Sequence, residues 1–447
     1  MSIKPVQIKL LNRLLQTGSD AQIIHALEKI HPAELANLFS DLPSHEIKRL
    51  IDCLVQIKKA GQALKEIPEF LIPDILELLE ADQLAQIISR LDADDALYLL
   101  DKMSEAHVQA VFERLDERKR QTLERYRLYP KDSAGSVMSS NFLAVSIGCT
   151  VDEAIQVLRA APEREGVFYV YVVEGRRLVG VLPLRSLVLA DSQRPVRELM
   201  TTGVVTVQAS DDQEKAAQQV SQYNLLAIPV VNDQQELLGV ITVDDVIDIF
   251  EEEATEDMYN MAGLSEVDRA FTPALVKIRN RLPWMLINLC TAFLAASVVG
   301  LFEGTIAKVA ILAAYMPIVA GMGGNGGTQS LVVMTRSIAL GEIEFAKART
   351  AILSEVLNGL TVGAVCGVVT GFIAYAVNGK FFLGVILFLA MLTNMCAAGL
   401  AGAMIPLALK KLKLDPAVAS GILVTTVTDI TGFFTFLSLA NLWLDRL

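Results

Sequence analysis

The stretch Asp415-Pro-Ala-Val-Ala-Ser-Gly-Ile-Leu-Val-Thr-Thr-Val-Thr-Asp429 opens an apolar segment that continues to residue 444. The segment is long enough to cross about 30 Å of hydrocarbon as a helix. Asp415 and Pro416 suit a helix start, because a capping Asp is often followed by Pro in the first turn. Asp429 lies about four turns further on, where a carboxylate costs roughly 2.5–3.5 kcal/mol in a membrane. The sequence therefore predicts a membrane span that carries an acid.

Asp429 has no Lys or Arg within ten residues on either side. Thr425 lies one turn before it and Gly421 two turns before it, so the three residues form one polar stripe along a helix. Ionisable groups inside membranes are rare and commonly mark ion routes. The stripe predicts a water-filled ion pathway. A proton-relay carboxylate and a structural buried acid are the alternatives.

A second unusual stretch is Pro317-Ile-Val-Ala-Gly-Met-Gly-Gly-Asn-Gly-Gly-Thr-Gln329, which lies within another apolar segment. Its glycines, Asn and Gln are expected to loosen the hydrogen-bond ladder of a membrane helix. Freed carbonyls are tolerated at that depth only inside protein or facing water. We therefore assign Gly321 and Asn325 to the same ion pathway. Close helix packing through small residues is the alternative, and the two roles are compatible.

Five apolar stretches are long enough to span a bilayer: 282–302, 309–340, 351–377, 381–409 and 417–444. Clusters of basic residues alternate with single charges between them, and the positive-inside rule places the clusters in the cytosol. The N-terminus is then cytosolic and the C-terminus lies outside. The three clusters are Lys277, Arg279 and Arg281; Arg336, Lys347 and Arg349; and Lys410, Lys411 and Lys413.

The charges divide the chain into two unlike halves. Residues 1–276 carry 27 basic and 44 acidic side chains, a net charge of −17, whereas residues 277–447 carry 12 basic and 7 acidic ones, a net charge of +5. An acidic half joined to a mildly basic apolar half argues against nucleic acid as a partner. Cations are the ligands that such a chain is expected to bind.

The densest acidic run covers residues 244–257, in which eight of fourteen side chains are carboxylates and none is basic. Like charges three and four residues apart on a helix repel. The run therefore predicts a surface that closes when divalent cations bridge it, with a solvated acidic face as the alternative. Mg²⁺ suits such a surface because it keeps several waters and needs only one or two carboxylates. The predicted metal ligands here are Asp245, Asp248, Glu253, Glu256 and Asp257.

Residues 1–130 show helical periodicity, with related segments at 35–42, 84–91 and 108–115. Their spacing suggests a short superhelical stack of helices. Two acids of this region, Asp92 and Asp95, are also predicted to bind metal.

The two membrane motifs resemble those of the MgtE-type magnesium channels, a bacterial family related to eukaryotic solute-carrier magnesium transporters. Residues 251–258, EEEATEDM, resemble the connecting or plug helix of that family. The resemblance covers essentially the whole chain and implies a homodimer with the pore on its two-fold axis, between the second and fifth membrane helices of both subunits. Asp429 matches the family's pore aspartate, and Glu214 joins the metal ligands by the same resemblance. Several members of the family have Pro where this chain has Ile422, and one member has Asp where this chain has Asn224.

Residues 136–200 and 199–250 form a repeat in which each copy contains an apolar strand, a Gly, a second strand and a helix. This repeat resembles a tandem pair of cystathionine-β-synthase (CBS) domains, small α/β modules that pair and sense ligands. Many such modules bind adenine nucleotides through an Asp at the end of this motif. Asp245 holds that place in the second copy, but Ser186 holds it in the first, so weak or absent ATP binding is expected. Arg185 is the candidate nucleotide contact.

Together the patterns predict a Mg²⁺-selective channel in the bacterial cytoplasmic membrane. It would import Mg²⁺ down its electrochemical gradient, and cytosolic Mg²⁺ bound to the acidic domains and the plug helix would close it. A proton- or cation-coupled secondary transporter of divalent metal ions is the alternative, whereas no nucleophile–base constellation suggests an enzyme. The predicted fold is multidomain: an α-helical superhelical N-terminal domain (1–130), tandem α/β CBS domains (131–198 and 199–250), a connecting plug helix (251–276) and a five-helix all-α transmembrane domain (277–447).

Overall fold

The computed structural model describes residues 11, 13–39, 42–160, 168–264, 268, 270, 272–343, 348–418 and 420–447. Lys347, one of the basic residues used to orient the membrane spans, lies outside these residues. The chain divides into two compact units, Met1–Phe250 and Glu251–Leu447. Each unit contains a buried apolar core of its own.

The first unit begins with a stack of short helices. Their starts are fixed by caps, such as Asp116, whose Oδ1 accepts the Lys119 backbone N–H at 2.7 Å, and by Pro32 in a first turn. Leu27, Leu35 and many similar side chains are fully buried between the helices. The helical stack predicted for this region is confirmed. Its helices are α1 (Asp20–Leu27), α2 (Pro32–Ala36), α3 (Ser44–Gln56), α4 (Ala60–Lys65), α5 (Ile72–Glu77), α6 (Ala81–Arg90), α7 (Ala93–Asp101), α8 (Glu105–Phe112) and α9 (Glu117–Tyr126).

Two three-stranded sheets follow, and each combines one parallel and one antiparallel strand pair. In both sheets the middle strand pairs parallel with the first strand and antiparallel with the third. The repeated strand–Gly–strand–helix pattern is thereby confirmed. The elements are α10 (Ala134–Val137), β1 (Leu143–Ser146), α11 (Val151–Arg159), β2 (Tyr169–Glu174), β3 (Arg177–Pro183), α12 (Leu184–Leu189), β4 (Val207–Gln208), α13 (Gln213–Tyr223), β5 (Ala227–Val231) and β6 (Leu237–Thr242).

The segment that precedes each copy of the repeat packs on the sheet of the other copy. Ser139 exchanges backbone hydrogen bonds with Val240 of the second sheet at 2.7 and 2.9 Å. Thr201 does the same with Val181 of the first sheet, at 2.8 and 3.0 Å. The leading segments therefore cross over, and the two copies complete each other rather than folding as separate modules.

The second unit is almost entirely helical. The helix α14 (Val243–Met261) begins in the first unit and ends in the second. The helices that follow are α15 (Ala274–Gly300), α16 (Glu303–Lys308), α17 (Leu312–Ala339), α18 (Ala348–Asn378), α19 (Phe381–Lys411) and α20 (Ser420–Leu442). By length and composition, α15, α18, α19 and α20 are apolar enough to cross a membrane. The helix α17 has 28 residues, about 42 Å, but its polar and Gly residues dilute its hydropathy.

Glycines allow the closest helix contact in this unit, between α18 and α19. Gly359, Gly363, Gly367 and Gly371 recur at every fourth position of α18 and face α19. A Cβ at Gly371 would lie 2.6 Å from the Gly384 carbonyl oxygen. Small residues of this kind let membrane helices approach closely where no hydrophobic effect drives them together.

Candidate ion pathway and acidic clusters

The residues assigned to the ion pathway lie on the less covered faces of α17 and α20. Gly321 and Asn325 are exposed on α17, Thr425 is exposed on α20, and Asp429 is partly exposed. No ion pair or hydrogen bond to the Asp429 carboxylate occurs within the described residues. A carboxylate on an open helix face with no partner among the described residues is suited to bind a cation from outside the chain.

The glycine-rich stretch of α17 does not loosen the helix, and the prediction that it would is wrong. The helix is continuous from Leu312 to Ala339. Its glycines divide by face instead: Gly321 and Gly324 have open space around them, while Gly326 and Gly327 lie against side chains of α19 and α20. A Cβ at Gly326 would lie 2.6 Å from the Met395 methyl carbon. The alternative of close packing therefore accounts for the buried glycines.

The hydroxyl groups of α20 are satisfied within their own helix. Thr425 Oγ1 donates to the Gly421 carbonyl oxygen at 2.9 Å, and Thr428 Oγ1 donates to the Thr425 carbonyl oxygen at 2.9 Å. Such bonds keep polar side chains tolerable in an apolar environment. The bond of the exposed Thr425 leaves lone pairs of its hydroxyl oxygen available to a hydrated ion on the open face, whereas Thr428 is buried.

Gly421 contacts the end of α14 as well as belonging to the predicted pathway. A Cβ at Gly421 would lie 2.6 Å from the Met261 carbonyl oxygen. The helix α14 ends in a turn at Gly263, whose φ of +68° is a conformation that glycine adopts without strain. The space beside Gly263 is bounded by Ile422 and Trp284. The end of α14, which stops well before residue 276 where the predicted plug helix ends, therefore contacts the first turn of α20.

The prediction that Asp415 caps the fifth span is wrong. The helix begins at Ser420, and Asp415 Oδ1 instead accepts the Ala417 backbone N–H at 2.8 Å, closing a turn. Its other carboxylate oxygen accepts Asn260 Nδ2–H at 2.9 Å. Asp415 is used to contact α14 because a short side chain before Pro favours a turn as readily as a helix start.

A further acid of α14 lies close to Asp415. Burial and the nearby Asp415 carboxylate raise the pKa of Asp257 to about 6, and Arg336 partly opposes this shift. Glu256 Oε1 accepts a weaker hydrogen bond from Asn260 Nδ2–H at 3.2 Å. Two of the predicted metal ligands, Glu256 and Asp257, are thus brought close to Asp415, which the sequence had not suggested as a ligand.

The first unit contains an acidic cluster that joins the start of α7 to the start of α14. Asp92 Oδ2 accepts Ser139 Oγ–H at 3.2 Å. Asp95 Oδ1 forms an ion pair with Lys65 Nζ at 3.0 Å. Asp245 Oδ2 accepts the Thr242 backbone N–H at 3.1 Å. Three predicted ligands, Asp92, Asp95 and Asp245, therefore belong to one cluster although 150 residues separate Asp95 from Asp245.

Asp94 is the member of this cluster that sequence reasoning missed. Burial first, and then the charges of Asp95 and Asp245, raise the pKa of Asp94 well above its usual range. Its Oδ1 is buried and has no hydrogen-bond partner within the described residues. The sequence Asp92-Ala-Asp-Asp95 could have indicated Asp94, because it places three acids at the start of one helix.

Two lysines supply positive charge to the same cluster. Burial by itself would lower the pKa of Lys65, but the carboxylates of Asp95, Asp245 and Asp94 raise it above its ordinary value. Lys119 Nζ donates to the Leu91 carbonyl oxygen, and burial lowers the pKa of Lys119 despite the acids around it. The cluster therefore has part of its charge neutralised by the protein itself.

Four other predicted site residues lie on α12, α13 and α14. Glu214 is in the first turn of α13, where its Oε1 accepts Gln218 Nε2–H at 3.2 Å. Asp248 is exposed on α14 and Glu253 is partly exposed there, while Arg185 is exposed on α12. Within the described residues, no three Asp, Glu, His or Cys side chains are grouped as a ready metal cage. Any Mg²⁺ bound here would keep most of its waters, as Mg²⁺ commonly does.

Comparison with known proteins covers nearly the whole chain. A family model described as a divalent cation transporter, MgtE, matches residues 316–439; the MgtE intracellular N domain matches 30–132, and CBS domains match 134–192 and 196–252. The magnesium transporter MgtE of Thermus thermophilus is 33% identical over 97% of this chain and 98% of its own length. That of Bacillus subtilis is 31% identical over 97% and 96%.

A solved structure also matches the first part of the chain. The cytosolic domain of the Mg²⁺ channel MgtE in complex with ATP is 34% identical, with a TM-score of 0.51 over 54% of this chain and 99% of that domain. The soluble part of a magnesium transporter is 27% identical, with a TM-score of 0.53 over 56% of this chain.

Proposed function

The chain belongs to the MgtE family of divalent cation transporters, and from this premise we propose that it is a Mg²⁺ channel closed by cytosolic Mg²⁺. The single observation that carries the proposal is Asp429, a carboxylate inside an apolar helix with no ion pair or hydrogen bond in the described chain. The relatives named as magnesium transporters supply the ion. Hydrated Mg²⁺ loses its waters reluctantly, so Asp429 would contact the ion through its water shell.

The pathway is proposed to form between two copies of the chain. The residues assigned to it are on faces of α17 and α20 that the protomer leaves uncovered. A second copy related by a two-fold axis would bring the same faces together, since a symmetric dimer uses one surface patch twice. In that arrangement two Asp429 carboxylates flank one ion, and the N-terminus is cytosolic while the C-terminus lies outside.

Closure is proposed to follow from Mg²⁺ bound to the acidic cytosolic half. The net charge of −17 over residues 1–276 opposes close packing of the parts. An ion that binds only the closed state stabilises it by RT ln(1 + [L]/Kd), which is about 2.7 kcal/mol at one hundred times Kd. Several weak sites therefore make a steep switch. Asp245, Asp248, Glu253, Glu256 and Asp257 are the proposed ligands, with Asp92, Asp95 and Glu214.

The expectation of weak ATP binding stays a prediction. A relative's cytosolic domain has been solved with ATP. In this chain Arg185 and Ser186 are both exposed on α12, at the end of the first copy's strand–Gly–strand segment. Ser186 lacks the carboxylate that would accept hydrogen bonds from a ribose, so we assign nucleotide no essential part in closure.

A coupled transporter remains the second candidate because of Glu355. This acid lies in α18, and its Oε2 accepts Ser330 Oγ–H of α17 at 2.6 Å. A second carboxylate inside the helical bundle is what a proton-coupled mechanism would use. Asp429 and Glu355 together would then carry the ion and the proton.

One experiment separates the two candidates. The full chain is reconstituted in liposomes that contain a Mg²⁺-sensitive dye, and Mg²⁺ uptake is followed with an imposed membrane potential or an imposed pH gradient. We expect uptake that follows the membrane potential and is independent of the pH gradient. Uptake that requires the pH gradient would establish the coupled transporter, and no uptake under either condition would refute Mg²⁺ transport.

A further inference from the structure

A polar side chain lies at the centre of the membrane helices, behind the predicted pathway. Asn394 is in the middle of α19, and its exposed fraction is 0%. Its Nδ2–H donates to the Val319 carbonyl oxygen of α17 at 2.8 Å. Its Oδ1 is buried and has no hydrogen-bond partner within the described residues. Within the described residues, the Asn394 amide therefore forms a hydrogen bond through its N–H group and none through its oxygen.

Two glycines on two different helices make room for this amide. A Cβ at Gly323 of α17 would collide with the Asn394 amide, and a Cβ at Gly432 of α20 would lie 2.7 Å from Asn394 Nδ2. Both helices thus have a glycine, which has no side chain, at the level of Asn394 in the bundle. The Asn394 side chain fills the space between them.

Both glycines are close in sequence to the pathway residues. Val319 and Gly323 flank Gly321 on α17, and Gly432 follows Asp429 by three residues on α20. On a helix, residues three apart lie one above the other. A side chain wedged at Gly323 and Gly432 and bonded to Val319 therefore fixes the rotation of α17 and its distance from α20.

Space filling alone does not account for an asparagine here. Leu has the same branching at Cγ, although it is bulkier, and it would bury no polar atom in an apolar environment. An unpartnered amide oxygen at such a site opposes folding. Asparagine is consistent with this position if its donor to the Val319 carbonyl does something that Leu could not.

We propose that Asn394 is a positioning residue that sets the spacing of α17 and α20, and thereby the preference of the pathway for Mg²⁺ over the larger Ca²⁺. The proposal rests on the proposed function. Mg²⁺ holds its waters in a compact, near-ideal octahedral shell, whereas Ca²⁺ accepts irregular and larger sites. A small increase in the distance between the faces that carry Asn325 and Asp429 would therefore cost Mg²⁺ more than Ca²⁺.

The test compares Asn394→Leu with Asn394→Asp in reconstituted full-length protein. Leu removes the donor and keeps the branched side chain with somewhat more bulk, whereas a protonated Asp has the shape of Asn and can still donate to Val319. Uptake of Mg²⁺ and of Ca²⁺ is measured separately. We expect the Mg²⁺/Ca²⁺ ratio of Asn394→Leu to fall about tenfold, the size typical for loss of a group that orients metal ligands. Asn394→Asp should retain more of the ratio than Asn394→Leu.

Asn378→Leu is the matched control. Asn378 Nδ2 donates to the Tyr315 hydroxyl at 2.7 Å and to the Ala374 carbonyl at 2.9 Å, in the same helical unit but away from Gly323 and Gly432. Its loss should leave the Mg²⁺/Ca²⁺ ratio unchanged. If Asn394→Leu does not give monodisperse protein, Asn394→Ala takes its place with the same expected fall.

The outcomes are separable from failure of Mg²⁺ transport itself. Wild-type protein that takes up no Mg²⁺ contradicts the proposed function. Wild-type protein that transports Mg²⁺, together with folded Asn394→Leu at the wild-type ratio, overturns the positioning role alone. If Asn394→Leu retains as much of the wild-type Mg²⁺/Ca²⁺ ratio as Asn394→Asp does, Asn394 only fills space.

Discussion

Two groups of acids in this protein differ in whether the chain supplies them with positive charge. The cluster of Asp92, Asp94, Asp95 and Asp245 includes Lys65, whose ammonium group forms an ion pair with Asp95. Asp429, by contrast, has no basic partner within the described residues. An acid with its own counter-ion can hold structure together without metal. An acid without one is left to bind whatever cation reaches it.

Under the proposed function, the cluster is a regulatory site and Asp429 is a conducting one. Removing a charge from a partly neutralised cluster should change how much Mg²⁺ is needed to reach a given state. Removing the only charge from a site that has no counter-ion should remove the site. Four experiments follow from this difference, and the expected effect decreases from the first to the last.

The largest effect is expected at Asp429. Asp429→Ala should abolish Mg²⁺ uptake or reduce it more than about a hundredfold, because the only fixed charge in the span is lost. Asp429→Asn should keep the volume and lose the preference for divalent ions. Uptake in liposomes with equal amounts of monodisperse protein is the measurement. Wild-type Mg²⁺ uptake by Asp429→Ala would remove Asp429 from the pathway.

The next largest effect is expected from the acidic run. Asp245→Asn, Asp248→Asn and Glu256→Gln combined remove both ligands and repulsion. Exposed charges are screened by salt within about 8–10 Å, so we expect the loss of ligands to dominate. The triple variant should conduct at millimolar cytosolic Mg²⁺, and Mg²⁺ should no longer protect residues 250–275 from protease.

The three single variants are the controls. If their side chains bind no common ion, the effects of the single variants on the Mg²⁺ dependence of closure should add up to that of the triple variant. Closure of the triple variant at the wild-type Mg²⁺ concentration would mean that residues 244–257 form only a solvated acidic face.

A smaller effect is expected from Lys65→Met, which removes the positive charge that distinguishes the acidic cluster from Asp429. Loss of the ammonium leaves Asp95, Asp94 and Asp245 to repel each other, so more Mg²⁺ should be needed for closure. We expect the midpoint to rise by about tenfold, equivalent to about 1.4 kcal/mol. Mg²⁺ titration of channel closure is the measurement.

Lys102→Met is its matched control, because Lys102 pairs with Glu69 in the same helical stack. The two lysine side chains are 27% and 29% exposed, and both partner acids are 25% exposed. Both variants should lose some stability, but only Lys65→Met should move the Mg²⁺ midpoint. An equal shift in both would assign the effect to general loosening of the stack.

The smallest effect is a pH dependence from Asp257. Its pKa of about 6 is raised above the usual value, so the packed state is favoured below that pH and loses stability as the pH rises through it. Lowering the cytosolic pH from about 7.5 to about 5.5 at low Mg²⁺ should therefore reduce the current two- to threefold, as expected for a raised carboxyl pKa. Asp257→Asn should lose this dependence, and Asp445→Asn should keep it.

Much of this architecture follows from the sequence because its signals are local. Apolar stretches predicted the membrane helices, and the strand–Gly–strand pattern predicted both sheets. Asp429 could be singled out because the rule that applies to it, an acid with no nearby base in an apolar stretch, needs only neighbouring residues. The same rule, extended from charge to amides, would have identified Asn394.

The contacts that were missed depend on packing between distant parts of the chain. Lys65 precedes Asp95 by 30 residues and Asp245 by 180, and nothing in the sequence indicates that the three would meet. The prediction of a helix start at Asp415 was wrong for the same reason. Its side chain contacts Asn260 of α14, and a local capping rule does not include a partner 155 residues away.

Single-channel recording from inside-out patches tests the central claim most directly. Wild-type protein is recorded while the Mg²⁺ concentration on the cytosolic face is raised from micromolar to millimolar, with the potential held constant. We expect unitary Mg²⁺ currents whose open probability falls steeply with cytosolic Mg²⁺ and recovers when Mg²⁺ is withdrawn. Currents whose open probability is the same at every cytosolic Mg²⁺ concentration would contradict this expectation.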